Sequence, residues 1–287
     1  MRTAGKLATL LALLAGVMPE RVTARQTTEL PVMTFNIRYG TADDGEDRWS
    51  LRRGLLLDVI REHGPVVLGV QEALRFQLDE MREALGRYDE VGVGRDDGVT
   101  AGEYSAILFD TTRVALLDEG TFWFSDTPAV PGSMSWGNTI PRICTWARLR
   151  GRDDGGTFTV YNVHWDHLSQ PSRERSAALL LERIAARANT DPVLVMGDFN
   201  AGETNPAFVA LVHSERVPLR DTFRALHADA TEVGTYHAFR GGLAGDRIDA
   251  ILAGPAWEIV RAAIVRTERD GRYPSDHYPV IAVLRLE

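Results

Sequence analysis

Val193 to Met196 is an unbroken apolar run between Pro192 and Gly197, and it leads directly into Asp198, Phe199 and Asn200. A run of this length, bounded by turn residues, reads as a strand buried on both faces, the situation of a sheet covered by helices in a layered α/β protein. In such folds the side chains at a strand's carboxyl end open onto a crevice. Asp198 and Asn200 are one residue apart and can point the same way. An anionic acceptor beside a carboxamide suits a water or a metal held against a phosphate oxygen. An Asp-Asn turn after a strand is the simpler account of such a pair taken alone.

The same arrangement recurs along the chain. Leu30 to Arg38 alternates and then ends in Thr34-Phe35-Asn36-Ile37-Arg38, so Asn36 is the polar exception of a first core strand. Ser50 can cap a helix to about His63, with Leu51, Leu55, Val59 and Ile60 on one face. Pro65 to Val70 reads as a second buried strand that stops at Gln71-Glu72, and a helix from Leu74 to Leu85 follows. Short strands are expected near 88–93, 105–109, 114–124, 144–150 and 158–164, the last ending in Asn162-Val163-His164-Trp165-Asp166-His167. Pro171 to Ala188 forms a long helix, and a short helix at 206–212 precedes an irregular stretch. Strands at 247–252, 257–266 and 279–286 close the chain. The loop over 125–141, rich in Pro and Gly, is long enough to suggest a substrate-side role.

Composition bounds the function. The chain has 287 residues, 44% hydrophobic and 25% charged, which is ordinary for one large α/β domain. A net charge of −8 argues against wrapping nucleic acid with a basic surface. Apart from Lys6 every basic residue is Arg, which suits bidentate phosphate contacts, although coding bias explains it as well. Residues 1–24 read as a signal peptide: Arg2 and Lys6 open it, Leu7 to Val17 is apolar, and Val22-Thr23-Ala24 resembles a cleavage site. Residues 25–287 are then the catalytic domain, secreted or periplasmic, with no stable membrane span. The single Cys144 excludes an intrachain disulfide and reads as a buried thiol.

The polar residues at strand ends are Asn36, Glu72, His164, Asp198, Asn200 and Asp249, with Asp276 and His277 in Pro274-Ser275-Asp276-His277-Tyr278-Pro279. Converging carboxylates, imidazoles and carboxamides are hard to explain as packing, because unpaired buried charge is costly. Hard oxygen ligands with few imidazoles favour Mg²⁺ or Mn²⁺ over zinc, and hence metal-assisted hydrolysis. Local hydrogen bonding that shapes the strand ends is the plain alternative for Asn36, His164, Asp249 and Asp276.

The stretches Thr34-Phe35-Asn36-Ile37-Arg38, Gln71-Glu72, Asn162-Val163-His164, Gly197-Asp198-Phe199-Asn200, Arg247-Ile248-Asp249 and Ser275-Asp276-His277 resemble, in order, the motifs of the endonuclease/exonuclease/phosphatase superfamily. The Trp165-Asp166-His167 extension and the acidic loop before Trp49 are most similar to its secreted bacterial members near the nocturnin-like branch. The resemblance implies an α/β fold, a four-layer sandwich of two mixed β-sheets flanked by helices. It implies that Glu72 is the principal metal ligand with Asn36 and Asp276 beside it, and that Asp198 and Asn200 orient water, metal or substrate. His277 would be the general base or a transition-state donor oriented by Asp249, and His164 a second catalytic histidine. Glu103 is the candidate orienter of His164 and Arg142 the candidate phosphate ligand. A salt bridge explains those two as well as function does. Asp166 and His167 read either as a second ligand cluster or as helix-capping residues.

The expected activity is that of a monomeric, exported, Mg²⁺-dependent phosphohydrolase attacking a phosphoester with activated water. A small substrate is favoured over nucleic acid, with a secreted nuclease next and a phosphoester-binding module without turnover as the reading from another class. Lipid phosphodiesterase action would need an exposed apolar hairpin, for which Phe122-Trp123-Phe124 is the place to look. Trp49 and Trp136 read as buried packing ahead of groove-lining residues.

Overall fold

The computed structural model describes residues 28–287 together with Met1, so the expected signal peptide lies outside the described residues. In chain order the elements are β1 (Glu29–Asn36), α1 (Trp49–His63), β2 (Val67–Gln71), α2 (Arg75–Leu85), β3 (Tyr88–Val91), β4 (Ile107–Asp110), β5 (Val114–Trp123), β6 (Ile143–Gly151) and β7 (Thr157–His164). They continue with α3 (Gln170–Ala185), β8 (Val193–Asp198), α4 (Pro206–Val212), β9 (Arg220–Asp221), α5 (Thr222–Leu226), β10 (Asp249–Ala253), β11 (Trp257–Ile264) and β12 (Val280–Leu286).

The strands form two six-stranded sheets, ordered β11-β12-β1-β2-β4-β3 and β5-β6-β7-β8-β10-β9. Each sheet contains one parallel pair, β1 with β2 and β7 with β8, in an otherwise antiparallel order. Val32, Val67, Val160, Leu194, Met196, Ile251 and Ala282 fill the space between the sheets. Met33, Phe35, Leu68 and Val70 face the other way, onto Leu56, Ile60, Leu78 and Met81 of α1 and α2. Tyr161, Val163, Val195 and Leu252 pack against Leu180 and Ile184 of α3 and Phe208 and Leu211 of α4. Helices, sheet, sheet and helices thus make the expected four layers, and the continuous apolar runs of β2 and β8 reflect burial on both faces.

Most expected elements appear within a few residues. Asp221, whose side chain accepts from the backbone N–H groups of Phe223 and Arg224, starts α5 in the stretch that read as irregular. Helix α1 begins differently from the expectation. Arg48 occupies the N-cap position behind a 3-10 turn at Gly45–Asp47, so Ser50 is not the cap, and Leu51 is exposed. Buried Trp49, Leu56 and Leu57 widen the apolar face instead. Trp49 donates to Glu80 as a packing residue, and Phe122, Trp123 and Phe124 are all buried, which removes them as an apolar docking surface. Trp136 donates its indole N–H to Asp126. Among the described residues no helix is long and apolar enough to cross a membrane.

Polar groups also bridge the sheets beneath the open end. Asn162 accepts from Gln71 Nε2 at 2.6 Å and donates to the Val70 and Ala106 carbonyls at 2.9 and 2.8 Å. Gly69 makes room for it, since a Cβ there would lie 2.9 Å from the Asn162 carboxamide and 2.7 Å from Met196 Sδ. Asn162→Ala would leave Gln71 and two carbonyls without these partners, and is expected to destabilise the fold by about 2–4 kcal/mol in denaturant titration. A loss below about 0.5 kcal/mol would show that the bridge contributes no stability.

Candidate active site

Strand parity carries the site residues to one place. In β1, Val32 points between the sheets, so Thr34 and Asn36 follow it inward. The same alternation turns Gln71 in β2, Asn162 and His164 in β7, Asp198 in β8 and Asp249 in β10 toward the inter-sheet space. Register makes His164 and Asp249 the two cross-strand partners of Asp198. The ladder is tight here: a Cβ at Gly197, whose φ is +148°, would lie 2.0 Å from the Val163 carbonyl oxygen.

Asn36 joins the two sheets. Its Nδ2 donates to Glu72 Oε1 and to Asp198 Oδ2, both at 3.0 Å, while its Oδ1 accepts the backbone N–H of Arg38 at 3.0 Å. A backbone N–H can only donate, which fixes the amide orientation and directs the Asn36 oxygen away from Glu72. Asn36 therefore bridges two acids rather than joining Glu72 as the metal ligand expected of it. Glu72 sits directly after β2 with φ 61°, a conformation unusual for a residue with a long side chain, as do Arg38 (56°) after β1 and Asn200 (46°) after β8.

His277 Nδ1 and Asp249 Oδ2 are 2.8 Å apart, as expected of an oriented imidazole, and His277 Nε2 lies 3.9 Å from Asp198 Oδ2. Burial opposes a charged His277, yet Asp249, Asp198 and Asp276 together hold its pKa well above that of an ordinary histidine. His164 Nε2 lies 3.6 Å from the same Asp198 oxygen, but burial and then Arg142 push its pKa well down, leaving it neutral. Burial and Asp249 push the Asp198 carboxyl up to about 7. Asn200 donates its N–H to Asp198 Oδ1 at 2.8 Å and its Nδ2 to the Trp165 carbonyl at 3.0 Å. Burial raises Asp276, which accepts from Ser275 Oγ at 3.2 Å.

Glu72, Asp276, Asp198, Asn200, His164, His277, Arg142 and Glu103 all line one cavity of about 510 Å³, with Asn36 and Asp249 behind them. Glu103 departs from the expectation. Both its oxygens accept from Arg95, at 2.7 and 2.8 Å, so it clamps an arginine instead of orienting His164. Asp166 is not the cap of α3: its Oδ1 accepts the N–H groups of Leu168 and Ser169 in the turn before the helix, and Ser169 is the N-cap, accepting the N–H of Ser172. His167 instead reaches Arg142, Nδ1 to Nη2 at 2.8 Å.

Two sets of groups could hold a divalent cation. Asp198, Asp249 and His277 offer ligand atoms within 4.8 Å of one another, with His277 Nδ1 already hydrogen-bonded to Asp249 and Nε2 left facing Asp198. The carboxylates of Glu72 and Asp276 form the better edge, since Arg38, 3.9 Å from each, marks it as a place that attracts positive charge. An all-oxygen pair of this kind suits a hard cation.

Three supporting residues escaped the sequence reading. Buried Arg52 donates to the carbonyls of Ile37, Arg38 and Pro274 at 2.7, 3.0 and 3.0 Å, tying the turn after β1 to the loop that carries Asp276. Buried Arg247 pairs with Glu203 at 2.5 Å and with Asp221. Thr235 Oγ1 accepts from the N–H groups of Ile248 and Asp249 at 3.0 and 3.2 Å, while its carbonyl takes the N–H of Tyr278 at 2.8 Å. Thr235 thus holds Asp249 and the His277 turn together. Only Arg247 carried a sequence signal, as the first residue of Arg247-Ile248-Asp249. Thr235→Val is expected to lower kcat about tenfold with little change in KM, and Thr235→Ser to restore it. Equal kinetics for the valine variant would contradict that positioning role.

The sequence profile of the Endonuclease/Exonuclease/phosphatase family matches residues 33–277. An endonuclease/exonuclease/phosphatase family protein from Bacteroides thetaiotaomicron is 32% identical with a TM-score of 0.85, covering 92% of this chain and 100% of that one. The mannosyl-6-phosphatase of Bacteroides thetaiotaomicron is 33% identical with a TM-score of 0.82, covering 89% and 99%. The human nocturnin catalytic domain is 19% identical with a TM-score of 0.73 over 90% and 95%, a likeness of fold alone. The chain spans less than half the length of the fungal Ccr4 exoribonuclease subunits that it also matches. With a profile match over most of its length, on the two-sheet sandwich and strand-end residues described above, the chain belongs to the endonuclease/exonuclease/phosphatase family.

Proposed function

We propose that this protein is an exported, monomeric, divalent-metal-dependent phosphoesterase that cleaves a small phosphorylated molecule by in-line attack of water. The observation that carries the reading is the His277–Asp249 pair facing Asp198 at the floor of a cavity with carboxylates on one side and a guanidinium on the other. A volume of about 510 Å³ is that of a small-ligand pocket. The similarity to a mannosyl-6-phosphatase supports a compact phosphorylated substrate.

Glu72 and Asp276 would hold Mg²⁺ or Mn²⁺, which when bound supplies Lewis-acid neutralisation of phosphate charge. Asp198, fixed by the amides of Asn36 and Asn200, holds the attacking water and accepts its proton as the P–O bond forms. His277, with Nδ1 committed to Asp249, presents Nε2–H to a phosphate oxygen and stabilises the charge that gathers there. His164 shares the Asp198 oxygen and supports the same water. Arg142 lies on the facing wall as a phosphate ligand. The leaving oxygen departs opposite the attacking water and takes its proton from solvent.

A panel of p-nitrophenyl phosphate, bis-p-nitrophenyl phosphate, sugar phosphates, DNA and RNA tests the reading. Turnover should require Mg²⁺ or Mn²⁺, vanish with EDTA, and fall ~10²–10⁴-fold in His277→Ala and Glu72→Gln. Full activity in either variant would overturn the assignment. Steep loss with added salt, as counterions compete along a polymer, would favour a nuclease instead. Export predicts a mature chain beginning at Arg25, which mass spectrometry of the protein from the cell envelope or medium would reveal.

A further inference from the structure

Arg142 is 2% exposed, so its charge is held away from water and its N–H groups need acceptors. They are poorly served. Nη2 meets His167 Nδ1 at 2.8 Å, and Nε lies 3.6 Å from Asp166 Oδ2, too far for a hydrogen bond. Nε and Nη1 have no hydrogen-bond partner, and neither does that Asp166 oxygen. Of the two carboxylates near Arg142, Asp166 forms an ion pair with it without a hydrogen bond, and Glu103 already has both oxygens on Arg95. Arg142 lines the 510 Å³ cavity on one side and a smaller void with Arg95, Glu103 and His164 on the other.

His167 adds a second donor. A guanidinium cannot accept, so the His167 nitrogen facing it carries the lone pair and the ring proton sits on Nε2. The ring is exposed and lines the same cavity. Three places in the cavity lining therefore favour an oxygen anion: the Glu72–Asp276 edge, where Arg38 also sits, once it holds a cation, the Nε2 edge of His277, and the Arg142–His167 pair. A phosphodiester has two terminal oxygens and a phosphomonoester three. In a diester the third oxygen carries carbon, which would meet a buried guanidinium whose Nε and Nη1 lack acceptors.

We propose that the substrate is a phosphomonoester, and that Arg142 and His167 bind the terminal oxygen that is esterified in a diester. His167 is then a specificity-determining residue. This rests on the phosphoesterase reading and narrows its substrate class.

The test compares wild type, His167→Ala and Arg142→Lys in the full chain with Mg²⁺, using p-nitrophenyl phosphate and bis-p-nitrophenyl phosphate, and measures binding of inorganic phosphate by calorimetry. The wild type should prefer the monoester. In both variants phosphate affinity should weaken about 10–100-fold, and monoester kcat/KM should fall at least tenfold further than diester kcat/KM, mainly through KM for His167→Ala. A wild type that prefers the diester, or variants that lower both substrates equally, would overturn the monoester assignment while leaving hydrolysis intact. Absence of all turnover would defeat the hydrolase reading itself. Phosphate binding then still decides the site, because unchanged affinity in folded His167→Ala and Arg142→Lys overturns it and weakened affinity supports it.

Discussion

The carboxamide of Asn36, shared between Glu72 and Asp198, is the contact on which the rest of the site depends. It crosses from the end of one sheet to the end of the other, where four carboxylates crowd a largely buried space. Like charges brought together out of water would separate the strand ends or become protonated. Here each acid has its own compensation: Asp249 has His277, Asp276 has Ser275 and the nearby Arg38, and Asp198 has two amides. Glu72 accepts from Asn36 and from the backbone of Tyr39. The amide is suited to its position because it donates twice without adding charge, holding Glu72 and Asp198 close together.

Such a cluster survives only if its backbone is held from behind. Arg38, Glu72 and Asn200 all turn with positive φ immediately beyond strands, each costing about 1 kcal/mol or more for a non-glycine residue. Buried Arg52 satisfies carbonyls on both sides of one of these turns. Arg247, wholly buried among Glu203, Asp221 and the rings of Phe208 and Phe223, anchors the start of β10. Arg52 and Arg247 are held by backbone carbonyls or carboxylates and serve rigidity, whereas Arg142 keeps Nε and Nη1 without partners.

The layered fold was legible because burial on both faces leaves a direct trace, the unbroken apolar runs of β2 and β8. So was the convergence of Glu72, His164, Asp198, Asp249 and His277, since each breaks an apolar pattern at a strand end. Helix α1 was misread because a serine one position inside the helix looks like a cap when the turn before it leaves no apolar signal. The role of Asn36 was misjudged for a different reason: whether a carboxamide offers oxygen or nitrogen to its neighbours depends on a backbone N–H two residues away. Glu103 followed the same rule. Its proximity to His164 in the fold was inferable, but its choice of Arg95 depends on which of two arginines reaches it with both nitrogens. Thr235 gave no signal, because a threonine that receives three hydrogen bonds looks the same in sequence as any other.

The location of the site follows from the topology more than from any one residue. Parallel neighbours finish at the same edge of a sheet, whereas antiparallel neighbours finish at opposite edges. Each sheet has a single parallel pair, and the two pairs occupy equivalent central places in sheets of the same internal order. Their carboxyl ends meet across the inter-sheet space, bringing Asn36 and Gln71 from one sheet toward His164 and Asp198 from the other. A residue added at such an end projects into the cleft without disturbing the apolar layers below it. Asp249 enters at the same edge because β10 runs antiparallel and begins where β8 stops. His277 arrives on the turn before β12, held by Thr235 against Asp249. The His277–Asp249 pair therefore joins an antiparallel strand start to a loop, and Asp198 sits at the end of a parallel strand. That division leaves the cavity wall at Arg142 and His167 on loops outside both parallel pairs, apart from the strands that carry the acids.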